Sequence, residues 1–394
     1  MRILCVATKL PWPPRDGGRL ALALTLQGLA DDGHEIQLVA PVSDDESAAA
    51  DPTDRIHFET VALPRLPWAT ATARAVFRRR ALSIVRHHRT ELEQAVDQAI
   101  VRFRPDVVHA EQLQALANCS PALRRGVPVV LRTQNVESHI WQQVGAASLR
   151  HLPLIFEARR LRAEESRALA AATHTLTLTE NDATALRNIN DKSASAKISV
   201  LAPPFPPRLP PGTKLEGEPA IALAGSAGWW PNTQATQWFL REVLPVISRQ
   251  LPRAVVHVFG GDKSVSAPNL RWHSAPTDSA DAFPDGAIAA VPLFVGSGIR
   301  MRILEAWARG LPVVATSIAA RGLEVTVGCE LAIADTPGAF CAAIRLVVEN
   351  ESLRAAIIDA GHRYLIERHD SGQLTQALLR IYQLAIARQR ASTP

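Results

Sequence analysis

Cysteine is scarce in this 394-residue chain: Cys5, Cys119, Cys329 and Cys341 stand far apart, and no two have C-x-x-C spacing. That argues against a disulfide framework and a zinc site, and fits a reducing, cytosolic setting. Long apolar runs are missing too. No stretch approaches 18 consecutive apolar residues, so no membrane span is expected. The opening MRILCVATKLP lacks the apolar core of a signal peptide. Lysine is confined to Lys9, Lys192, Lys197, Lys214 and Lys263, so 38 of the 43 basic residues are arginine. With that skew, the pI of 9.3 reflects overall composition. No zinc finger or aromatic RNA-reading motif accompanies the charge, so no nucleic-acid partner is expected. The dinucleotide fingerprint G-x-G-x-x-G is also absent.

What is present fits two domains. Hydrophobic residues make up 47% of the chain, enough for two sizeable cores. The organising stretch is residues 287–317, AIAAVPLFVGSGIRMRILEAWARGLPVVATS. Residues 287–293 read as a strand buried on both faces. Gly296-Ser297-Gly298 forms a turn that can bring backbone close to a ligand. A helix is expected over 299–309, with Ile303, Leu304, Trp307 and Ala308 on its core side. Gly310 stops it, and residues 312–316 form a second strand, completing a βαβ unit. Arg300 and Arg302 fall in the first turn, where the helix dipole is already positive and a cation is unfavourable by itself. The spacing even places Arg300 on the buried side with Leu304 and Trp307. A helix N-terminus behind glycines, carrying two guanidiniums, suits an anion such as a diphosphate. The competing reading is an Arg302–Glu305–Arg309 surface ladder worth a few tenths of a kcal/mol per pair.

The rest of the chain repeats the pattern. Residues 2–8 read as a strand, followed by a loop with Pro11, Pro13, Pro14 and Gly17-Gly18, a helix from about Arg19 to Asp32, and a strand at 36–40. Gly17-Gly18 is either a ligand-approaching turn or a plain tight turn. Residues 73–104 form a long basic helical pattern, in which Arg74, Arg78, Arg79, Arg80, Arg86 and Arg89 interleave with apolar residues. It can lie on an anionic membrane surface or be a solvated face. Strands follow at 105–110 and 127–132, with His109 a structural strand-end residue. Thr179 to Asp182 read as an N-cap box. Trp229, Trp230, Trp238 and Phe239 read as core. The proline-rich run 201–219 can be neither helix nor central strand. The expected division is therefore 1–203, a linker at 204–217, a second domain at 218–375, and a C-terminal helix at 376–394 that can cross back to the first domain.

GSGIRMRILEAWARGLPVVATS resembles the donor-site segment of retaining GT-B glycosyltransferases of family GT4. The subgroup reads G-S-G-T-R-x-K-x-L-E-A-x-A-x-G-x-P-V-V-A-T, with Ile299 here for the Thr and Arg302 for the Lys. The opening is similar to the family's P-x-x-G-G and L-A-x-x-G-H-E-V segments. GSAGWWPNTQATQWF is similar to its G-S-x-x-W-x-P-N-x-x-A-x-x-W-F. TQNVES resembles its H-N-V-E site, with Gln134 for the His and with Asn135 and Glu137 matching. The resemblance implies an α/β GT-B fold, two Rossmann-like domains with parallel sheets facing a central cleft. It implies that Glu305 holds the ribose and that Arg300 and Arg302 act as the catalytic cations on the diphosphate. Gly17, Gly18, Ser226, Ser297, Gly298 and Ile299 would line the donor, and Gln134 and Asn135 would position the sugar or acceptor. Many members carry a sugar-contacting Glu where Ser297 stands. Glutamine can hydrogen-bond a hydroxyl but cannot change charge, so a titrating role at 134 is excluded.

The implied reaction is retaining transfer of a sugar from a nucleotide-diphosphate sugar to a hydroxyl of a carbohydrate or lipid-linked acceptor. The implied setting is polysaccharide or glycolipid assembly, in the cytoplasm or at the inner face of the cell membrane. No D-x-D occurs, which disfavours the metal-dependent GT-A scheme. No metal and no cofactor beyond the nucleotide-sugar substrate are expected. Two alternatives stay open. A GT-B sugar-nucleotide epimerase would need acid/base groups that Gln134 and Ser297 do not supply. A non-catalytic nucleotide- or partner-binding homologue fits the departures at 134, 297 and 302.

Overall fold

The computed structural model describes residues 1–14, 16–42, 53–64, 66–146, 151, 154–189, 197–224, 230–261, 263, 265–276 and 278–392. The chain divides into two compact units. The first comprises Met1–Pro13, Ala21–Pro204 and Ser371–Pro394, and the second Pro14–Leu20 and Phe205–Asp370. In chain order the elements begin β1 (Arg2–Val6), α1 (Gly17–Asp31), β2 (Glu35–Val42), β3 (Ile56–Ala62), α2 (Trp68–Arg78), α3 (Leu82–His87) and α4 (Thr90–Phe103). They continue with β4 (Val107–Glu111), α5 (Leu113–Leu116), α6 (Ser120–Arg124), β5 (Val129–Thr133), α7 (Glu137–Ala146), α8 (Leu154–Ala171), β6 (His174–Thr177), α9 (Glu180–Arg187) and β7 (Ile198–Val200). Next come β8 (Ala220–Ala224), α10 (Trp230–Trp238), α11 (Leu244–Gln250), β9 (Val255–Phe259), β10 (Leu270–His273), β11 (Ile288–Val291), α12 (Met301–Ala308), β12 (Val313–Ala315) and α13 (Ser317–Ala320). The chain closes with β13 (Ala332–Ile333), α14 (Pro337–Glu349), α15 (Glu351–Arg368) and α16 (Ser371–Ser392).

Both units are α/β with one parallel sheet each. The first sheet runs β3-β2-β1-β4-β5-β6-β7 and the second β10-β9-β8-β11-β12-β13. Strand 1 shows why: Ile3, Leu4, Cys5 and Val6 are all fully buried, because helices cover both faces. Leu22, Leu26 and Leu29 of α1 pack on one face beside Leu378, Tyr382 and Ala385 of α16. Leu92, Val96 and Ile100 of α4 cover the other with Leu161 of α8. In the second unit Phe239, Ile247, Phe340 and Ile344 cover one face of the sheet. Parallel strands put every carboxyl end on one edge. The sheet order reverses between β1 and β4 in the first unit and between β8 and β11 in the second. Such switch points are where open α/β sheets bind ligands.

Two expectations need correction. The basic pattern at 73–104 is three helices, not one. Arg79 sits at φ 50°, ending α2, and residues 88 and 89 are extended between α3 and α4. The organising helix starts at Met301 instead of 299. Gly298 has φ 75°, and Arg300 is an extended N-cap residue, so neither continues a helix backwards. Within the proline-rich run, Phe205 N–H donates to the His369 carbonyl at 2.9 Å, Leu209 N–H to Ala308 at 2.8 Å, and Gly212 N–H to Phe283 at 2.9 Å. Thr179 does cap α9, accepting from Asp182 N–H. Gly225, Ser226 and Trp229 lie outside the described residues.

Helix 12 packs closely on α15, tightest where Trp307 meets Gly361. A Cβ on Gly361 would stand 2.5 Å from Trp307 Cδ1. Trp307 is fully buried, and its indole N–H donates to the Glu330 carbonyl at 2.9 Å, so the ring has nowhere to move. Gly361→Ala is therefore expected to destabilise the protein by about 1–3 kcal/mol despite alanine's better helix propensity. Denaturant titration checks this, and an unchanged midpoint would contradict it.

Candidate functional site

The carboxyl edge of the second sheet gathers most of the residues singled out in the sequence. Between β11 and α12 the chain passes through Gly296, Ser297 and Gly298. Arg300 folds back over this turn: its Nη2 donates to the Gly298 carbonyl at 3.3 Å, and a Cβ on Gly296 would stand 2.6 Å from its Nη1. Arg300 thus stands outside the helix, off the buried face that ideal helical spacing assigns it. Arg302, one residue inside α12, donates from Nη1 to Asn232 Oδ1 of α10 at 3.4 Å. Burial, and then the like charge of Arg300, push Arg302 down to about 10, with Glu305 and Asp16 opposing. It therefore stays a cation at neutral pH. Gly17, also in the second unit, lies against the start of α12, where a Cβ would come within 2.6 Å of Met301 Cβ. Two guanidiniums, a helix N-terminus and glycine backbone stand together there, an arrangement whose chemistry suits an anion.

Glu305 is not part of a surface ladder. It and Arg309 are a buried pair, with side chains 7% and 6% exposed and Arg309 Nη2 2.9 Å from Glu305 Oε1. Arg309 also donates from Nε to that same oxygen, from Nη1 to the Pro210 carbonyl, and from Nη2 to Ser279 Oγ at 3.3 Å. Burying both charges is tolerable because each has the other and Arg309 makes further hydrogen bonds to Pro210 and Ser279. All recorded bonds fall on Oε1. Among the described residues Oε2 has no protein partner, and it is not sealed from solvent. Nearby, the ends of β9 and β10 open on a cavity of about 390 Å³. Thr213, Leu215, Phe259, His273, Pro276 and Asp281 line it. Thr213 and Leu215 sit in the proline-rich run, whose composition carries no sign of a cavity wall.

In the first unit, Gln134 sits at the end of β5 in a buried network. Gln134 Nε2 donates to Glu111 Oε1 at 2.7 Å, and Gln112 Nε2 donates to Gln134 Oε1 at 2.9 Å. Arg132 Nε donates to Glu111 Oε2 at 2.7 Å, and His109 Nε2 lies 2.9 Å from the same oxygen. A carboxylate oxygen only accepts, so His109 carries its proton on Nε2. Its Nδ1 then accepts from the Tyr382 hydroxyl at 2.8 Å. Burial pushes Glu111 upward, but Arg132 and His109 outweigh that and hold it below the usual carboxylate range. Burial, reinforced by Arg132, lowers His109, so the ring is neutral. His109 is therefore structural. The network keeps Gln134 in one orientation. Two opposite charges at neighbouring strand ends, Glu111 and Arg132, were the available signal for it. Asn135 follows Gln134 in the loop before α7.

These two sets of residues lie in different units. Gly17, Gly298, Arg300, Arg302 and Glu305 come together in the second, and Gln134 and Asn135 belong to the first. Residues 16–204 match the family described as "Glycosyl transferase 4-like domain", and residues 218–350 match "Glycosyl transferases group 1". The chain thus carries a glycosyl transferase 4-like domain followed by a group 1 glycosyl transferase domain. No curated protein matches it. Among solved structures it is similar to the sucrose-phosphate synthase of Thermosynechococcus elongatus, with TM-score 0.74 and 12% identity over 98% of this chain and 100% of that one. Anabaena HepE in complex with UDP and glucose gives 0.65 and 13%, covering 96% and 98%. WaaG, a glycosyltransferase involved in lipopolysaccharide biosynthesis, gives 0.62 and 14%, covering 97% and 99%. At these identities the likeness is one of fold, and that fold is GT-B.

A buried carboxyl underlies the Gln134 loop. Glu165 of α8 accepts from Ser138 N–H at 3.0 Å and from its hydroxyl at 2.5 Å, capping the first turn of α7. Burial pushes Glu165 up to about 7 from 4.5, against the Ser138 hydrogen bonds. A raised folded value means the proton is held more tightly in the folded state. The contribution is therefore complete below about 4.5 and lost as pH rises to about 7. Glu165→Gln removes it. The variant's stability relative to the parent should rise by up to about 3 kcal/mol between pH 4.5 and 8. Urea titrations across that range check this, and a pH-independent difference would contradict it.

Proposed function

We propose that this protein is a retaining glycosyltransferase of the GT4 type. It moves a sugar from a nucleotide-diphosphate sugar to an acceptor hydroxyl without a metal, in polysaccharide or glycolipid assembly. The observation that carries the reading is the arrangement at the start of α12. Arg300 and Arg302 stand beside a glycine turn and a helix N-terminus, and Glu305 follows one turn later with Oε2 open. Departure of a nucleoside diphosphate builds negative charge, and fixed cations with oriented N–H groups stabilise it. Arg300 and Arg302 bind that charge, and Glu305 Oε2 accepts from the ribose hydroxyls. Gly17, Gly18, Ser226, Ser297, Gly298 and Ile299 shape the donor site, and Gln134 with Asn135 orients the sugar or acceptor. The diphosphate's own oxygen takes the acceptor proton. The likeness to HepE, whose structure holds UDP and glucose, supports a nucleotide-sugar donor.

The acceptor side points to an anionic membrane surface at the cytoplasmic face. Residues 60–90 contain seven arginines and no Asp or Glu. Helix 2 turns Ala71 and Ala75 inward and Val76 and Phe77 outward, with Phe77 90% exposed. Among the described residues no carboxylate pairs with Arg74, Arg78, Arg79 or Arg86. Apolar side chains flanked by unpaired cations suit an interfacial helix. Vesicles containing anionic lipid should therefore bind the protein more tightly than neutral ones. Arg78→Ala with Arg79→Ala should weaken that binding by about tenfold or more, at about 1 kcal/mol per arginine. Equal binding to both vesicle types would refute the membrane assignment.

The transferase reading is tested by thermal unfolding with UDP, GDP, ADP and CMP and their sugar conjugates. At about 100 times its dissociation constant the right ligand stabilises the protein by about 2.7 kcal/mol. Glu305→Ala should abolish the shift. Arg300→Ala should lower turnover about a hundredfold or more. No shift with any nucleotide would overturn the reading. A shift without turnover would favour a non-catalytic nucleotide binder, which Gln134's fixed bonds to Glu111 and Gln112 also suit.

A further inference from the structure

The cavity at the ends of β9 and β10 is chemically one-sided, and we infer that it selects guanine as the donor base, through His273 and Asp281. This rests on the nucleotide-sugar reading above and adds the identity of the base.

The tautomers along this wall are fixed. His257 Nε2 lies 2.9 Å from the Glu216 carbonyl, which only accepts, so that nitrogen carries a proton. Burial lowers both His257 and His273 from their ordinary value, so both rings are neutral at pH 7. His257 Nδ1 is then a bare acceptor, and His273 Nε2, 3.0 Å away, must donate to it. That leaves His273 Nδ1 as an acceptor. Among the described residues it has no protein partner, and it is not sealed from solvent.

The other walls agree. His273 stacks on Phe259 with ring centroids 4.5 Å apart and planes at 14°, and Leu215 and Pro276 add flat apolar surface. This accommodates a planar heterocycle. Asp281 adds a carboxylate, so the two lining side chains that are polar without a hydroxyl, His273 at Nδ1 and Asp281, both offer acceptors. Thr213 and Ser274 contribute hydroxyls that serve either way. Such a lining calls for a base edge made of donors. Guanine presents N1–H and N2–H₂ side by side, which one carboxylate can accept as a pair. Uracil flanks its single N–H with two carbonyl oxygens. Adenine and cytosine place a bare ring nitrogen beside their amines. Each of those sets acceptor against acceptor.

Calorimetric titration of the full chain with GDP, UDP and ADP tests this, using the parent, Asp281→Asn and His273→Phe. Phenylalanine keeps the stack and deletes both the Nδ1 acceptor and the Nε2 donor to His257. GDP should bind the parent at least about tenfold more tightly than UDP or ADP. Each variant should shrink that advantage while diphosphate binding persists, and Asp281→Asn should keep the parent's Tm without ligand, whereas His273→Phe also removes the donor to buried His257 and should lower it. Preference for UDP or ADP in the parent, or a GDP advantage unchanged in both variants, would overturn the base assignment and leave the transferase reading standing. A folded parent that binds none of the three would overturn both.

Discussion

The second unit's functional edge depends on one buried ion pair, Glu305 with Arg309. Arg309 joins three stretches that are far apart in the chain: α12, the proline-rich run at Pro210, and the segment at Ser279. Its guanidinium also lies 5.8 Å from the centre of the Phe283 ring. Removing either partner would leave a charge buried alone, a cost of about 3–5 kcal/mol. The pair does more than hold. With Oε1 occupied by Arg309, Glu305 is fixed with its other oxygen free. A carboxylate so constrained needs no reordering when a ligand hydroxyl arrives, which is the benefit of preorganisation.

The first unit uses the same device with a different result. Glu111 is an acceptor on which Arg132, His109 and Gln134 all converge, and Arg132 continues to Thr25 at 2.7 Å. The direction of each bond follows from the carboxylate, so the orientation of Gln134 is dictated from inside the sheet. Tyr382 extends the chain of bonds to α16, the last helix. Burial of His174, pushed down to about 4, keeps it neutral, so its Nδ1 accepts from Arg388 of that helix at 2.9 Å. A neutral glutamine held this way can hydrogen-bond but moves no proton.

Much of the fold was legible because its signals are local. The run 287–293, the glycines at 296, 298 and 310, and the apolar spacing of Ile303, Leu304 and Trp307 lie within one βαβ unit. What escaped depends on distant partners. The burial of Glu305 follows from Arg309 reaching Pro210, 99 residues away in sequence, and Arg132 meets Thr25 across 107 residues. No local pattern separates such a pair from a surface ladder. The break at Arg79 requires a left-handed arginine, which sequence propensity disfavours. The proline-rich run was correctly neither helix nor central strand, yet its backbone bonds to Ala308 and Phe283 place Thr213 and Leu215 on a cavity wall.

The central claim is that the start of α12 binds a nucleoside diphosphate. A crystal structure of the full chain grown with the tightest-binding nucleoside diphosphate tests it most directly. The account predicts the diphosphate against Arg300, Arg302 and the glycine turn, with the ribose hydroxyls on Glu305 Oε2. A diphosphate bound elsewhere, or a ribose out of reach of Glu305, would contradict it.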